Sequence, residues 1–339
     1  MSDNIRHITS FKVKNFKRFE SFEMNDLGQF NLIVGDNNVG KTSLLEMLLV
    51  DELNVIATIT NYRQALLNHK VFANPKFREF SYFRNLETSI NEILFSSTTV
   101  DRKFYEVRFN FDKVNLMFKI FGIQNREYDY FYNDALFSIE EFSVPLIPFS
   151  KGYDSDLVNF YSRFIQSLPK EKELLFEYMR IFIPDLIYIE PSAPKSDESI
   201  FLIVTQKSKN STLPLGFYGE GTVKLFRILL EIIANKGKRL MIDEVDTGIH
   251  YSRFSSFWNV ILLAAVRHNV QLFMTTHNEE CIKYFVDVLS EPKMKSYQKD
   301  ARSISLVELP DKSVKAYTYP FGHLEANILM GNDVRGGAR

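Results

Sequence analysis

The sequence of 339 residues holds one cysteine, Cys281, one tryptophan and almost no net charge, its 41 Lys and Arg standing against 42 Asp and Glu for a balance of -1 at pH 7. As the single cysteine, Cys281 cannot form an internal disulfide, and it is read as lacking a partner at metal-ligand spacing. It reads as a small buried hydrophobe in a reducing, cytoplasmic protein. The missing positive charge removes the field of an obligate nucleic-acid binder and leaves only local basic patches. Apolar runs such as Val260 to Val266 are far shorter than a bilayer span, and Met1-Ser-Asp-Asn-Ile-Arg-His7 lacks the apolar core of a signal peptide. Neither membrane insertion nor export is expected. There is no internal repeat, no low-complexity tract and no heptad pattern outlasting a short helix, which rules out a long coiled-coil arm.

Aromatic residues, by contrast, are plentiful, with 31 Phe and 16 Tyr, a surplus that suits β-rich parts and aromatic-lined contacts. Alternation from Ile8 to Glu23 predicts a half-buried strand pair, and Gln29 to Val34 a buried strand that runs into a glycine loop and then a helix from Ser43. Between about 70 and 215, Lys103 to Phe111 and Val114 to Phe121 alternate as an antiparallel pair. Leu157, Phe160, Tyr161, Phe164, Ile165 and Leu168 then share one helix face, and Pro169 and Pro184 bracket a second helix. After 216 the pattern returns to α/β: a helix to Ala234, a strand Arg239 to Glu244, a helix Ser252 to His268, a strand Val270 to His277, and strands Ser303 to Leu309 and Val314 to Tyr319.

The loop Gly35-Asp36-Asn37-Asn38-Val39-Gly40-Lys41-Thr42 matches the Walker A pattern at every constrained position and lies between strand and helix. Its glycines let backbone N–H groups face phosphate oxygens. Lys41 is expected to reach the β and γ phosphates, the Thr42 hydroxyl to hold Mg²⁺, and Ser43 to complete the loop. No Asn-Lys-x-Asp tetrad is present, which weighs against a Ras-like GTPase.

The strand Arg239-Leu-Met-Ile-Asp243-Glu244 delivers two carboxylates at its end, as Walker B strands do. Asp243 is expected to bind Mg²⁺ and Glu244 to orient or deprotonate the attacking water. His277 ends the next strand, where it can contact the γ-phosphate side. The turn Gly219-Glu220-Gly221-Thr222 leads into an apolar helix and can aim that helix at a phosphate.

In this order the elements resemble the ABC-type ATPases, and among them the group of RecF, the SMC proteins and the OLD-like ATPases of bacterial defence systems. The resemblance rests on the loop above, on Asp243-Glu-Val-Asp246-Thr-Gly-Ile-His250, on Thr275-Thr-His277-Asn, and on the closing Ala316 to Arg335. It implies an α/β ATPase head with a mixed central sheet, an antiparallel β subdomain and a helical insertion. Residues 1–70 and 212–339 would form the core and 71–211 an inserted lobe. It also implies that Asp246 lies in the D-loop, that His277 is the switch histidine and that Gly219 to Thr222 is the signature. Transporter signatures carry Ser where this chain has Gly219, so one hydroxyl contact to the γ-phosphate is either missing or replaced by Thr222, and slow hydrolysis is expected.

ATP would then lie between the Walker A loop of one copy and the signature of another, making a homodimer whose ATP controls assembly. The favoured role is a sensor or scaffold that controls a separately encoded effector, a Toprim-like nuclease or a toxin, in anti-phage defence. The alternative is a DNA-repair or chromosome-maintenance ATPase touching DNA through Lys12, Lys14, Lys17 and Arg18 or through Lys236, Lys238 and Arg239. A transporter subunit is disfavoured for want of a Leu-Ser-Gly-Gly-Gln-like signature.

Overall fold

Alternating apolar residues build the first layer of the computed structural model, which describes residues 7–52, 54–69, 77–112, 115–121, 126–131, 145–149, 155–193, 200–209, 211–332 and 334. Strands β1 (Ile8–Phe16) and β2 (Phe19–Met24) bury Phe11, Val13, Phe16, Phe19, Phe22 and Met24 and leave Lys14, Glu20 and Glu23 exposed. The strand β3 (Phe30–Gly35) is buried throughout and leads into α1 (Lys41–Met47). Next come α2 (Val55–Asn68), a 3-10 segment Phe77–Phe83, β4 (Glu92–Thr99), β5 (Phe104–Asn110), β6 (Asn115–Phe121) and β7 (Arg126–Phe131). The short β8 (Leu146–Ile147) precedes α3 (Ser155–Phe164), α4 (Pro169–Met179), β9 (Leu186–Ser192), β10 (Phe201–Gln206) and β11 (Leu213–Pro214). The last part holds α5 (Glu220–Ala234), β12 (Arg239–Ile242), α6 (Phe254–His268), β13 (Gln271–Thr275) and α7 (Glu279–Ser290). It ends with β14 (Ala301–Glu308), β15 (Val314–Pro320) and α8 (Phe321–Leu329). Val114 and Arg335, both named above, lie outside the described residues.

Among the described residues the strands form three sheets. One is antiparallel in the order β2-β1-β4-β5-β6-β7, a second is β11-β10-β9, and the central one runs β15-β14-β3-β13-β12-β8. In the central sheet β14, β3, β13, β12 and β8 are parallel and only β15 is antiparallel, giving the mixed sheet expected of an α/β head. The described residues between 71 and 211 contribute to more than one sheet. Strand β4 pairs with β1, β8 pairs with β12 in the central sheet, and α3 and α4 pack on α5.

Because successive side chains point to opposite faces, each central strand feeds two cores. Leu32, Val34, Leu240, Ile242, Leu272 and Met274 face one core, which α3 to α7 cover. Ile33, Met241 and Phe273 face the other, with Leu44, Leu45 and Met47 of α1 and the apolar side of β1 and β2. Part of the aromatic surplus forms a cluster in this second core. The buried Tyr62 ring lies 5.1 Å from Phe83, 5.2 Å from Phe109 and 5.9 Å from Phe95, and its hydroxyl donates to the Met47 carbonyl at 3.1 Å. Aromatic packing thus anchors the end of α1 and with it the loop that precedes the helix. Among the described residues no helix is long and apolar enough to cross a membrane.

Candidate functional site

Strand β3 ends on Gly35, and Asp36, Asn37 and Asn38 that follow are exposed while Val39 is buried against the second core. Gly40 has φ 107°, and a Cβ there would lie 2.9 Å from the Phe19 ring, so only glycine lets the chain pass beneath the β1–β2 turn. The Arg18 guanidinium of that turn donates to the Asn38 carbonyl and pairs with Glu308. Lys41 Nζ donates to the carbonyls of Gly35 at 2.8 Å and Asp36 at 2.9 Å, which folds the side chain back over the loop. Burial lowers the Lys41 pKa, and Asp243, Glu244 and Asp36 oppose the shift, so the acids of the neighbouring strand end act directly on this lysine.

Opposite the loop, β12 carries Asp243 to the rim of the sheet, where its N–H donates to Ile147 of β8 at 2.9 Å. The buried carboxylate accepts two hydroxyls, Thr42 Oγ1 to Oδ2 at 2.9 Å and Thr275 Oγ1 to Oδ1 at 2.7 Å. Thr275 Oγ1 in turn accepts the Glu244 N–H at 2.8 Å. Glu244 has φ 44°, a left-handed conformation rare for a residue with a Cβ. Its carboxylate accepts from Thr247 Oγ1 at 3.2 Å and lies 3.9 Å from His277 Nδ1. Residues far apart in sequence are therefore brought together: the end of the phosphate loop, Asp243, Glu244 and His277.

Asp246 and the Gly219 to Thr222 turn occupy a second place. The Asp246 carboxylate is buried and accepts from Thr276 Oγ1 at 2.6 Å, so it braces the turn after β12 instead of facing solvent. Gly221 rests on that turn, where a Cβ would meet the Gly248 carbonyl at 2.5 Å. Gly219 and Glu220 are exposed. Of the two alternatives for the signature hydroxyl, this structure has the one in which it is missing: the Thr222 hydroxyl is buried and donates to the Tyr218 carbonyl at 2.8 Å, at the end of the preceding 3-10 turn.

Two side chains escaped the sequence reading. Thr275 bridges both acids, and its only signal was a pair of threonines before His277. Lys224 of α5 is buried and donates to the Glu244 carbonyl at 2.5 Å, and its signal was a lysine inside the apolar run Val223 to Phe226.

The family model described as "AAA domain, putative AbiEii toxin, Type IV TA system" matches residues 30–282, which takes in the loop, both acids and His277. The chain belongs to this family of AAA ATPases. The ATPase is 25% identical over 334 residues to a protein of Helicobacter pylori named ATP/GTP phosphatase, covering 84% of this chain and 89% of that one. In fold it is similar to the SMC head bound to the C-winged helix domain of ScpA, with a TM-score of 0.59 at 11% identity over 94% of this chain and 99% of the other. It is also similar to the SMC head with an extended coiled coil bound to the C-terminal domain of ScpA from Pyrococcus furiosus, at TM-score 0.51 and 9% identity over 96% and 99% of the two chains. The two SMC likenesses speak for the fold alone, and they agree with an ABC-type head.

Proposed function

We propose that this ATPase acts as a homodimer whose Mg²⁺-dependent ATP cycle holds and releases a separately encoded effector, a nuclease or a toxin, in anti-phage defence. The observation that carries the catalytic part is the hydrogen-bonded chain from Thr42 through Asp243 and Thr275 to Glu244. Thr42 Oγ1 and Asp243 Oδ2 present two hard oxygen donors side by side, which suits Mg²⁺. When bound there, Mg²⁺ would neutralise charge on the β and γ phosphates. The N–H groups of residues 35–43 would hold those phosphates. Lys41 would give up its loop carbonyls for phosphate oxygens. Glu244 would accept a proton from the attacking water, and His277, at 3.9 Å from it, would mark where the γ-phosphate stops.

The exposed Gly219 and Glu220 support a composite site, because Glu220 and Gly221 pack beside Gly248 while Gly219 remains open to a second copy that brings its own phosphate loop. Residues 1–70 and 212–339 would supply the nucleotide-contacting motifs, and the surface of 71–211, whose β8, α3 and α4 pack into the same core, would meet the effector. The effector reading draws on the toxin-antitoxin description of the family and on the solved SMC heads, which are bound to domains of a partner protein. Direct DNA binding is less well supported, since the basic clusters are largely spent: Lys12 pairs with Glu23, Lys17 with Glu46, Arg18 with Glu308 and the buried Arg239 with Glu52.

Glu244→Gln tests the catalytic assignment. The variant should bind ATP, lose nearly all hydrolysis and accumulate as dimer with Mg·ATP in analytical ultracentrifugation. Hydrolysis at the parental rate would remove Glu244 from its role. For the effector, the protein is isolated with its genomic neighbour. Association that is insensitive to ATP, or absent, sinks that part of the proposal.

A further inference from the structure

Lys224 performs no step in the chemistry above, yet it is the cation the fold places behind the acids. It is 8% exposed on α5, among Val223, Leu225 and Phe226, where an apolar residue would satisfy packing alone. Its Nζ donates to the main-chain carbonyl of Glu244 at 2.5 Å. That carbonyl belongs to a residue at φ 44°, a conformation that an L side chain keeps only when its surroundings hold it. The groups that face the ammonium electrostatically are Asp246, Glu244 and Asp243 from the turn after β12, and Cys281 from α7. Burial lowers the Lys224 pKa to about 8 while these carboxylates resist the shift.

We propose that Lys224 is a positioning residue for hydrolysis: it holds the left-handed backbone of Glu244, and so aims its carboxylate, while tying that backbone to the helix that bears the Gly219 to Thr222 turn. Lys224 lies one helical turn beyond Glu220, and Gly221 of the same turn rests on Gly248. The helix therefore grips the turn after β12 at two points, one steric and one charged. A shift of the exposed Gly219 end on meeting a second copy would pass through Lys224 to the water-activating group. The proposal rests on the reading of Glu244 as that group.

The test compares Lys224→Met, Lys224→Arg and Glu244→Gln as full-length proteins, with steady-state ATP hydrolysis, ATP binding and thermal unfolding measured for each. Met keeps the buried stem and removes the donor. Lys224→Met should lower kcat by roughly 10- to 100-fold, the range that a displacement of about 1 Å costs a positioned group, with KM and ATP affinity within about twofold of the parent. Arg, which keeps a charged donor, should recover most of kcat. Parental kcat in Lys224→Met overturns the proposal. So does a loss of kcat that merely follows lost ATP binding or lost folding, and so does a folded, ATP-binding Lys224→Arg with no recovery. If Glu244→Gln still hydrolyses ATP, the assignment of Glu244 fails first, a result separable from an inert Glu244→Gln beside a fully active Lys224→Met.

Discussion

Replacing Thr275 by Val tests the bridge between the two acids with the least change of shape. Thr275 is fully buried, so the added methyl occupies the volume of the hydroxyl and no water replaces it. Two groups lose their partner. Asp243 Oδ1 loses a hydroxyl donor at 2.7 Å, and the Glu244 N–H loses its acceptor at 2.8 Å. A hydrogen bond to a charged group contributes about 1.5–3 kcal/mol, and an orphaned buried N–H costs about 1–3 kcal/mol. The two terms share one hydroxyl and overlap, which leaves an expected loss of about 2–4 kcal/mol in folding stability. Thr275→Ser keeps the hydroxyl and drops one methyl, for about 1 kcal/mol. Urea unfolding of parent, Val and Ser variants ranks them directly, and ATP hydrolysis should fall in the same order. Thr275→Val as stable as the parent, or more stable than Thr275→Ser, would refute the reasoning.

Gly40→Ala places a Cβ at φ 107° and against the Phe19 ring, so the strain of about 1–3 kcal/mol should weaken ATP binding by about 5- to 150-fold, measurable by calorimetry. Acid should destabilise the fold through His7. Burial lowers its pKa, opposed by a hydrogen bond to the Asn269 carbonyl, so the unfolded chain takes up the proton first as pH falls through its ordinary value. Stability present above that value is lost below it. The thermal midpoint should drop between pH 7 and 5.5, and the drop should be smaller in His7→Gln.

Much of the fold was legible because the central strands are buried on both faces, so Phe30 to Val34, Arg239 to Ile242 and Gln271 to Met274 appear as apolar runs that end on motif residues. Helix α2 was not legible. Its sequence opens Val55-Ile-Ala-Thr-Ile-Thr60, a β-branched run, although Asn54 caps it by accepting the Ala57 N–H. Strand β8 has only two residues and so no period to read. At the site, residues that carry a motif could be named in advance, whereas Thr275 acquires its place from the register that sets Ile242 beside Met274 across β12 and β13. Lys224 gains its place from the packing of α5 on the turn after β12. Neither relation has a sequence spacing that announces it.

The composite site is tested most directly by mixing two inactive proteins. Lys41→Ala removes the phosphate-loop lysine, and Gly219→Asp sets a carboxylate in the open space at the exposed turn, on a backbone at φ 89° that it also strains. Each protein alone should be folded and inactive. In a mixed dimer the Gly219→Asp copy brings an intact loop and the Lys41→Ala copy an intact turn, so one of its two sites is whole. Equal mixing should restore about a quarter of parental hydrolysis, since about half of the dimers are mixed and half of their sites work. A mixture as inactive as its components would contradict the account, because it would mean that loop and turn act within one chain or that the turn has no part in the reaction.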